Sequence, residues 1–185
     1  MSEKARQQSA KDEILATARR RFDYAEEFER EQRAEALDDL KFRAGEQWPE
    51  DVKRARELDR RPTITINRLP QFLRQVTNDQ RQNRPSINVS PVDDKADIET
   101  AKVFQGLIRQ IEQNSNADVA YDTAFAAAAT HGFGYFRVTT DYASPESFEQ
   151  EILIKRIRNA FSVYMDPSAQ EPDGATRTGH LFSRT

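Results

Sequence analysis

The sequence predicts an α+β chain, with a long N-terminal helix, further helical segments and then a small antiparallel sheet. Two observations carry that prediction. Apolar residues recur at helical spacing in segments up to His131, and after Gly132 they switch to a two-residue alternation. Helical segments followed by a run of strands point to segregated α and β parts rather than to alternating βαβ units.

The composition sets the frame. Leu, Ile, Val and Phe supply 38 of the 185 residues, 32% of the chain is charged, and the net charge is −3. The apolar share lies near the limit for a chain that folds alone, while the low net charge argues against disorder. That balance suits long solvated helices, or a subunit that completes its core against neighbours. The absence of Cys excludes disulfides, zinc-thiolate and iron–sulfur sites, and thiol catalysis. No stretch reaches the roughly 18 apolar residues of a membrane span, and the charged first thirty residues hold no secretory apolar segment. The expectation is a soluble chain made inside the cell, without a membrane partner.

The elements follow in order. Residues up to 44 form a charged helical arm, with Ile14, Ala18, Phe22 and Ala25 on one face and Leu37, Leu40 and Ala44 on a second stripe. Between the stripes, residues 26–35 are mostly Glu, Arg and Gln, which favour helix and offer little to bury. Gly45 ends the arm, Trp48-Pro49 opens a loop, and a short helix spans 51–58. The β-branched run 63–66 is extended. Asn67 then caps a helix in which Pro70 lies in the first turn and Leu69, Phe72, Leu73 and Val76 form the buried face. Arg84-Pro85 stops it, and Ile87, Val89 and Pro91 alternate as a short edge strand.

A helix over 94–113 presents Phe104, Leu107, Ile108 and Ile111. An alanine-rich helix over 117–131 is suited to close packing, and Gly132 is its left-handed cap. Strands over 136–142, 151–157 and 161–165 make an antiparallel meander, the first of them half-buried through Phe136, Val138, Thr140 and Tyr142. Residues 179–185 begin another strand, as if more chain were to follow. The division expected is an arm over 1–44 and an α+β region over 45–185.

Candidate chemistry is sparse. Asp93, Asp94, Asp97 and Glu99 are the most metal-like group, but they open a helix, where carboxylates cap amides and oppose the dipole. They also lack the Gly and terminal Glu of a calcium loop, so no metal is predicted. Gly132-Phe133-Gly134 follows a helix and precedes a strand, the reverse of a dinucleotide fingerprint. His131 and His180 have no ligand-spaced partner, and His131 in a last turn would favour positive charge. No serine sits in a nucleophile elbow. Neither a catalytic residue nor a cofactor is predicted.

The arginines of 68–84 are the best contact candidates. Residues 67–92 carry four Arg and one Asp, whereas the segments on either side are net acidic. Arg74, Arg81, Asn83 and Arg84 could be a solvated helix face, a contact with a neighbouring subunit, or a DNA contact. Trp48, the single tryptophan, would pin its loop to the body or touch an adjacent chain. On these residues alone, a small nucleic-acid-binding or protein-interaction module stays open as an alternative.

Five segments in order carry a resemblance. They are Gly45-Glu46-Gln47-Trp48; Arg61-Pro62-Thr63-Ile64-Thr65-Ile66-Asn67; Asp79-Gln80-Arg81-Gln82-Asn83-Arg84-Pro85-Ser86-Ile87-Asn88-Val89; Ala124-Phe125 through Gly132-Phe133-Gly134-Tyr135-Phe136-Arg137-Val138; and Ile157-Arg158-Asn159-Ala160-Phe161-Ser162-Val163-Tyr164-Met165-Asp166-Pro167-Ser168. The series resembles the N-terminal part of portal proteins of tailed bacteriophages, in the large podovirus-type branch. That resemblance implies a wing-like piece of a structural, non-enzymatic subunit in a homo-oligomeric ring, a dodecamer in most of the family. The ring forms the channel for packaging and ejection of double-stranded DNA. Its implied partners are the terminase large subunit, a capsid or scaffolding protein, and a head-completion or tail adaptor protein. The implied location is the capsid portal vertex of the virion, after synthesis in the host bacterial cytoplasm. Family chains are several times longer, so this one is expected to be a fragment or a truncated prophage copy, with stem and DNA-facing parts beyond Thr185.

Overall fold

Glu, Arg, Gln and Ala dominate the first 44 residues and neither Gly nor Pro interrupts them, so helix propensity is uncontested there. In the computed structural model, which describes residues 3–84, 86–91, 98–167 and 182–183, they form one helix, α1 (Glu3–Ala44). Its covered face differs from the two stripes expected. Ala18, Phe22, Ala25, Glu29, Arg33, Ala36 and Leu40 are buried or half-buried at spacings of three or four, while Ile14 and Leu37 stay exposed. The charged middle of the arm therefore belongs to the stripe. The physical reason is that Glu29 and Arg33 satisfy each other, which removes the penalty of covering them separately.

A Schellman motif closes α1. Gly45, at φ 107°, donates its N–H to Phe42 O at 3.1 Å, and Glu46 N–H reaches Lys41 O at 3.0 Å. Asn67 then serves two helix ends at once: its Nδ2 donates to Arg43 O at 2.8 Å and its Oδ1 accepts from Leu69 N at 3.2 Å. Helix α2 (Glu50–Leu58) follows Pro49, and α3 (Leu69–Gln82) carries Pro70 near its start, as expected. Residues 61–68 lie outside regular secondary structure.

Helix α4 (Ile98–Asn114) and α5 (Ala117–His131) are joined by a turn in which Asn116 takes the left-handed conformation. Strands β1 (Phe136–Tyr142) and β2 (Gln150–Arg156) pair antiparallel, with Val138 opposite Ile154 and Thr140 opposite Ile152. After a 3-10 turn at Ala160–Ser162 come β3 (Val163–Tyr164) and β4 (Phe182–Ser183), which pair with each other. The chain divides into two compact units: α1 up to Asp38 with the chain from Phe161 on, and Asp39–Ala160.

Within the second unit α5 is the hub, meeting α3, α4, β1 and β2. Its buried Ala117, Ala120 and Ala124 permit that, because small side chains let neighbouring backbones approach. Tyr121 ties the hub to its surroundings: its ring meets Phe136 edge-on at 5.1 Å and its hydroxyl donates to Glu112 at 3.1 Å. Burial, with help from the Glu112 carboxylate, pushes the Tyr121 pKa up to about 12. Ser115 Oγ accepts from Ile154 N at 3.0 Å and fixes β2 to the α4–α5 turn.

Four sequence expectations change. Among the described residues the meander is replaced by two separate two-stranded sheets, since the 3-10 turn breaks the run and β3 finds its ladder downstream. Residues 87–91 form no strand; no described strand lies beside them, and Asn88 is held by Gln105 instead. On α3 the half-buried positions are Leu69, Pro70, Leu73, Thr77 and Gln80, leaving Phe72 and Val76 exposed, and on α4 Phe104 and Leu107 are exposed. Along β1, Phe136, Val138 and Tyr142 are exposed as well. The common reason is that the alanines of α5 draw its neighbours onto narrow contacts, too narrow to cover the larger side chains.

His131 is buried at the C-terminal turn of α5, edge-on to Phe133 at 4.7 Å. Burial pulls its pKa below the ordinary 6.5, with the Arg43 charge adding to it, and outweighs a backbone hydrogen bond and the Asp39 charge that act the other way, so the helix end does not make it a cation. The unfolded chain therefore binds the proton more readily, and stability rises with pH across the window just below 6.5. Urea unfolding should show stability falling as the pH drops from 7 to 5.5, and His131→Gln should flatten that slope.

Candidate functional site

The contact residues expected from sequence lie at two places in the second unit. Arg74, Arg81, Asn83 and Arg84 are on α3 or just past its end, and Trp48 is in the loop before α2. Arg81 and Arg84 are brought together by α5. Arg81 Nε donates to Asp122 Oδ2 at 2.9 Å, Arg84 Nη2 donates to Asp122 Oδ1 at 2.9 Å, and Arg84 Nη1 also pairs with Asp118. Arg74 and Asn83 turn back to their own helix, bonding Pro70 O at 3.2 Å and Asp79 O at 3.1 Å.

Electrostatically this is a clamp. Partial burial tends to lower the Arg84 pKa, and the bonds and charges of Asp118 and Asp122 outweigh it and hold the guanidinium above its ordinary value. Asp122 accepts from both arginines and its side chain is 17% exposed, against 68% for Asp118. Asp122→Ala should therefore lower stability by about 1–2 kcal/mol, whereas Asp118→Ala should change it by under about 0.5 kcal/mol. Equal losses in thermal melts of the two variants would show that Asp122 is not the shared acceptor.

Trp48 stands under the Arg56 guanidinium, 4.9 Å from its ring centre, and Arg56 Nη2 donates to Pro62 O at 3.0 Å. The half-buried indole lines an open cavity of about 550 Å³ with Lys41, Lys53, Thr63 and Thr65. Thr63 and Thr65 are the half-buried members of the extended run, and Ile64 and Ile66 are the exposed ones.

A third cluster was not foreseen. In the first unit, Arg33 Nη2 and Nε both donate to Glu29 Oε2, at 2.6 and 2.8 Å. Arg33 also donates to Phe161 O at 2.8 Å and to Val163 O, while Glu29 Oε1 accepts from Met165 N at 3.1 Å. The guanidinium lies 3.7 Å from the centre of the Tyr164 ring, whose other neighbour is Phe22, edge-on at 4.9 Å. The available signal was the i,i+4 Glu–Arg spacing. The same spacing of Asp118 and Asp122 on an otherwise neutral helix marked the acceptors for Arg81 and Arg84.

These groups fasten segments to one another. Among the described residues, no group of three or more His, Asp or Glu could hold a metal ion, and no helix is long and apolar enough to cross a membrane. Asp93, Asp94, Asp97 and His180 lie outside the described residues, and Glu99 is in the first turn of α4.

Residues 19–176 match a family model described as phage P22-like portal protein. A portal protein of Acyrthosiphon pisum secondary endosymbiont phage 1 is 30% identical over 164 residues, which cover 83% of this chain and 23% of that relative. The matched span takes in the whole of the second compact unit and part of the first, including the Arg33 cluster and the α3–α5 clamp.

Proposed function

The chain belongs to the phage P22-like portal protein family, and from that premise we propose that it is a structural subunit of the ring at the head-to-tail vertex. In this reading copies of the chain take part in a closed ring, a dodecamer, that surrounds the channel for packaging and ejection of double-stranded DNA. Terminase, the capsid or scaffold, and the tail adaptor dock on the assembled ring, which performs no chemistry itself. The subunit takes its place in the virion after synthesis in the host cytoplasm. Because the chain spans about a quarter of the curated relative it matches, the remaining surfaces of the ring would come from chain outside residues 1–185.

The family match over 19–176 is the observation that carries this. The burial pattern supports it. Among the described residues the buried apolar set is seven alanines, Val163 and Tyr164, while larger side chains such as Phe72, Val103, Phe104 and Phe148 are exposed. A subunit that covers such surface with its neighbours explains that distribution. Arg81 and Arg84 fit the same reading as internal fasteners, with Arg74 left on the exposed side of α3. Native mass spectrometry and negative-stain images of the purified chain test the proposal. Closed rings of one copy number are expected, and a chain that forms no closed particle at any concentration would overturn its role in ring closure.

A further inference from the structure

The extended run 63–66 is inside out. Thr63 and Thr65 face the cavity beside Trp48, while Ile64 and Ile66 are 71% and 78% exposed. A strand that served its own core would place the isoleucines inward. Leu58 is exposed just upstream, and Arg60 between them holds a left-handed backbone, φ 56°, that a glycine would adopt without strain. Residues 53–68 carry six basic and two acidic side chains.

The β1–β2 hairpin has the opposite charge and the same excess of exposed apolar surface. Residues 141–151 carry four acidic groups and no basic one. Phe148, in the connection between the strands, is 95% exposed, and Tyr142 and Ile152, on the two strands it joins, are exposed too. Lys155 pairs with Asp141 at 2.8 Å, which leaves Glu146, Glu149 and Glu151 as the acidic face of the tip.

We propose that the hairpin tip of one copy, led by Phe148, docks on the 58–66 strap of a second copy, against Leu58, Ile64 and Ile66. Apolar contact supplies the core of this interface, and the acidic tip against the basic side chains of residues 53–68, which run from α2 through the strap, supplies direction and register. The two surfaces differ, so the contact is head-to-tail and propagates around a ring or along a filament. The inference rests on the ring reading and names the contact that builds it.

Sedimentation of the full chain with charge-reversed variants tests it. Glu146→Lys with Glu149→Lys, or Arg54→Glu with Arg61→Glu, should each weaken association at least about tenfold by placing like charges together. All four reversals in one chain should restore it. These side chains are exposed, so melting temperatures should stay unchanged. Because the chain has no cysteine, a mixture of Phe148→Cys and Ile64→Cys chains should give a mixed disulfide under mild oxidation, and neither variant alone should give much. Rings that ignore both reversals and form no mixed disulfide would overturn the docking and leave the ring standing. Open filaments that form the mixed disulfide would uphold the docking and overturn ring closure. Monomers without cross-link would overturn the docking.

Discussion

Arg33→Ala is expected to lower the stability of the first unit by about 3–5 kcal/mol, as when one member of a covered ion pair is removed. The Arg33 and Glu29 side chains are 11% and 15% exposed, so the Glu29 carboxylate would be left with little water to replace its partner. The Phe161 and Val163 carbonyls would each lose a donor as well, and Tyr164 the cation over its ring. Hydrogen exchange at Met165 N–H reads this directly, since that amide is bonded to Glu29 and its protection should collapse. Arg33→Lys should recover part of the loss, because a lysine keeps the charge without the planar fork. A loss below about 1 kcal/mol would show that the pair behaves as a solvated surface bridge.

Gly134→Ala is the second large effect. A Cβ on Gly134 would stand 1.9 Å from Ala124 O and 2.7 Å from Ala124 C, and a backbone of α5 cannot yield as a flexible side chain would. Overpacking of this kind costs up to about 3 kcal/mol and sometimes more. Gly132 has open space around its Cβ position but a φ of 89°, so Gly132→Ala should cost about 1 kcal/mol in backbone strain. Gly106 has neither constraint, and Gly106→Ala should stabilise α4 by up to about 1 kcal/mol. Thermal melts of the three variants should follow that order. A Gly134→Ala chain as stable as the parent would mean that the segment leading into β1 does not approach α5 so closely.

The α+β order, the arm ending at Ala44, the Gly132 cap and the existence of β1 and β2 were legible because each depends on local chemistry. A glycine needed for a positive φ and a two-residue alternation can be read from neighbours in sequence. Burial was less legible. Phe72, Phe104 and Leu107 sit at helical spacing, yet the partner helix α5 is alanine-rich and too slim to cover them, which their own sequence cannot reveal. The Glu29–Arg33 pair looked solvated because charge is normally outside, and its cover comes from residues 161–165, more than a hundred positions away. At the candidate contact, the arginines were legible and their acceptors were not. Asp118 and Asp122 lie on a different helix, some forty residues downstream, and only folding brings them to Arg81 and Arg84.

Asn67 has a consequence for chemical ageing. Deamidation would change its side chain by almost nothing in shape, yet the donor to Arg43 O would be gone and a negative charge would stand at the C-terminal end of α1, where the helix is already negative. The acceptor for Leu69 N at the start of α3 would survive. A single slow hydrolysis would therefore loosen the end of one helix while sparing the beginning of the next, and a stored sample would lose the anchor of its arm before it lost its fold.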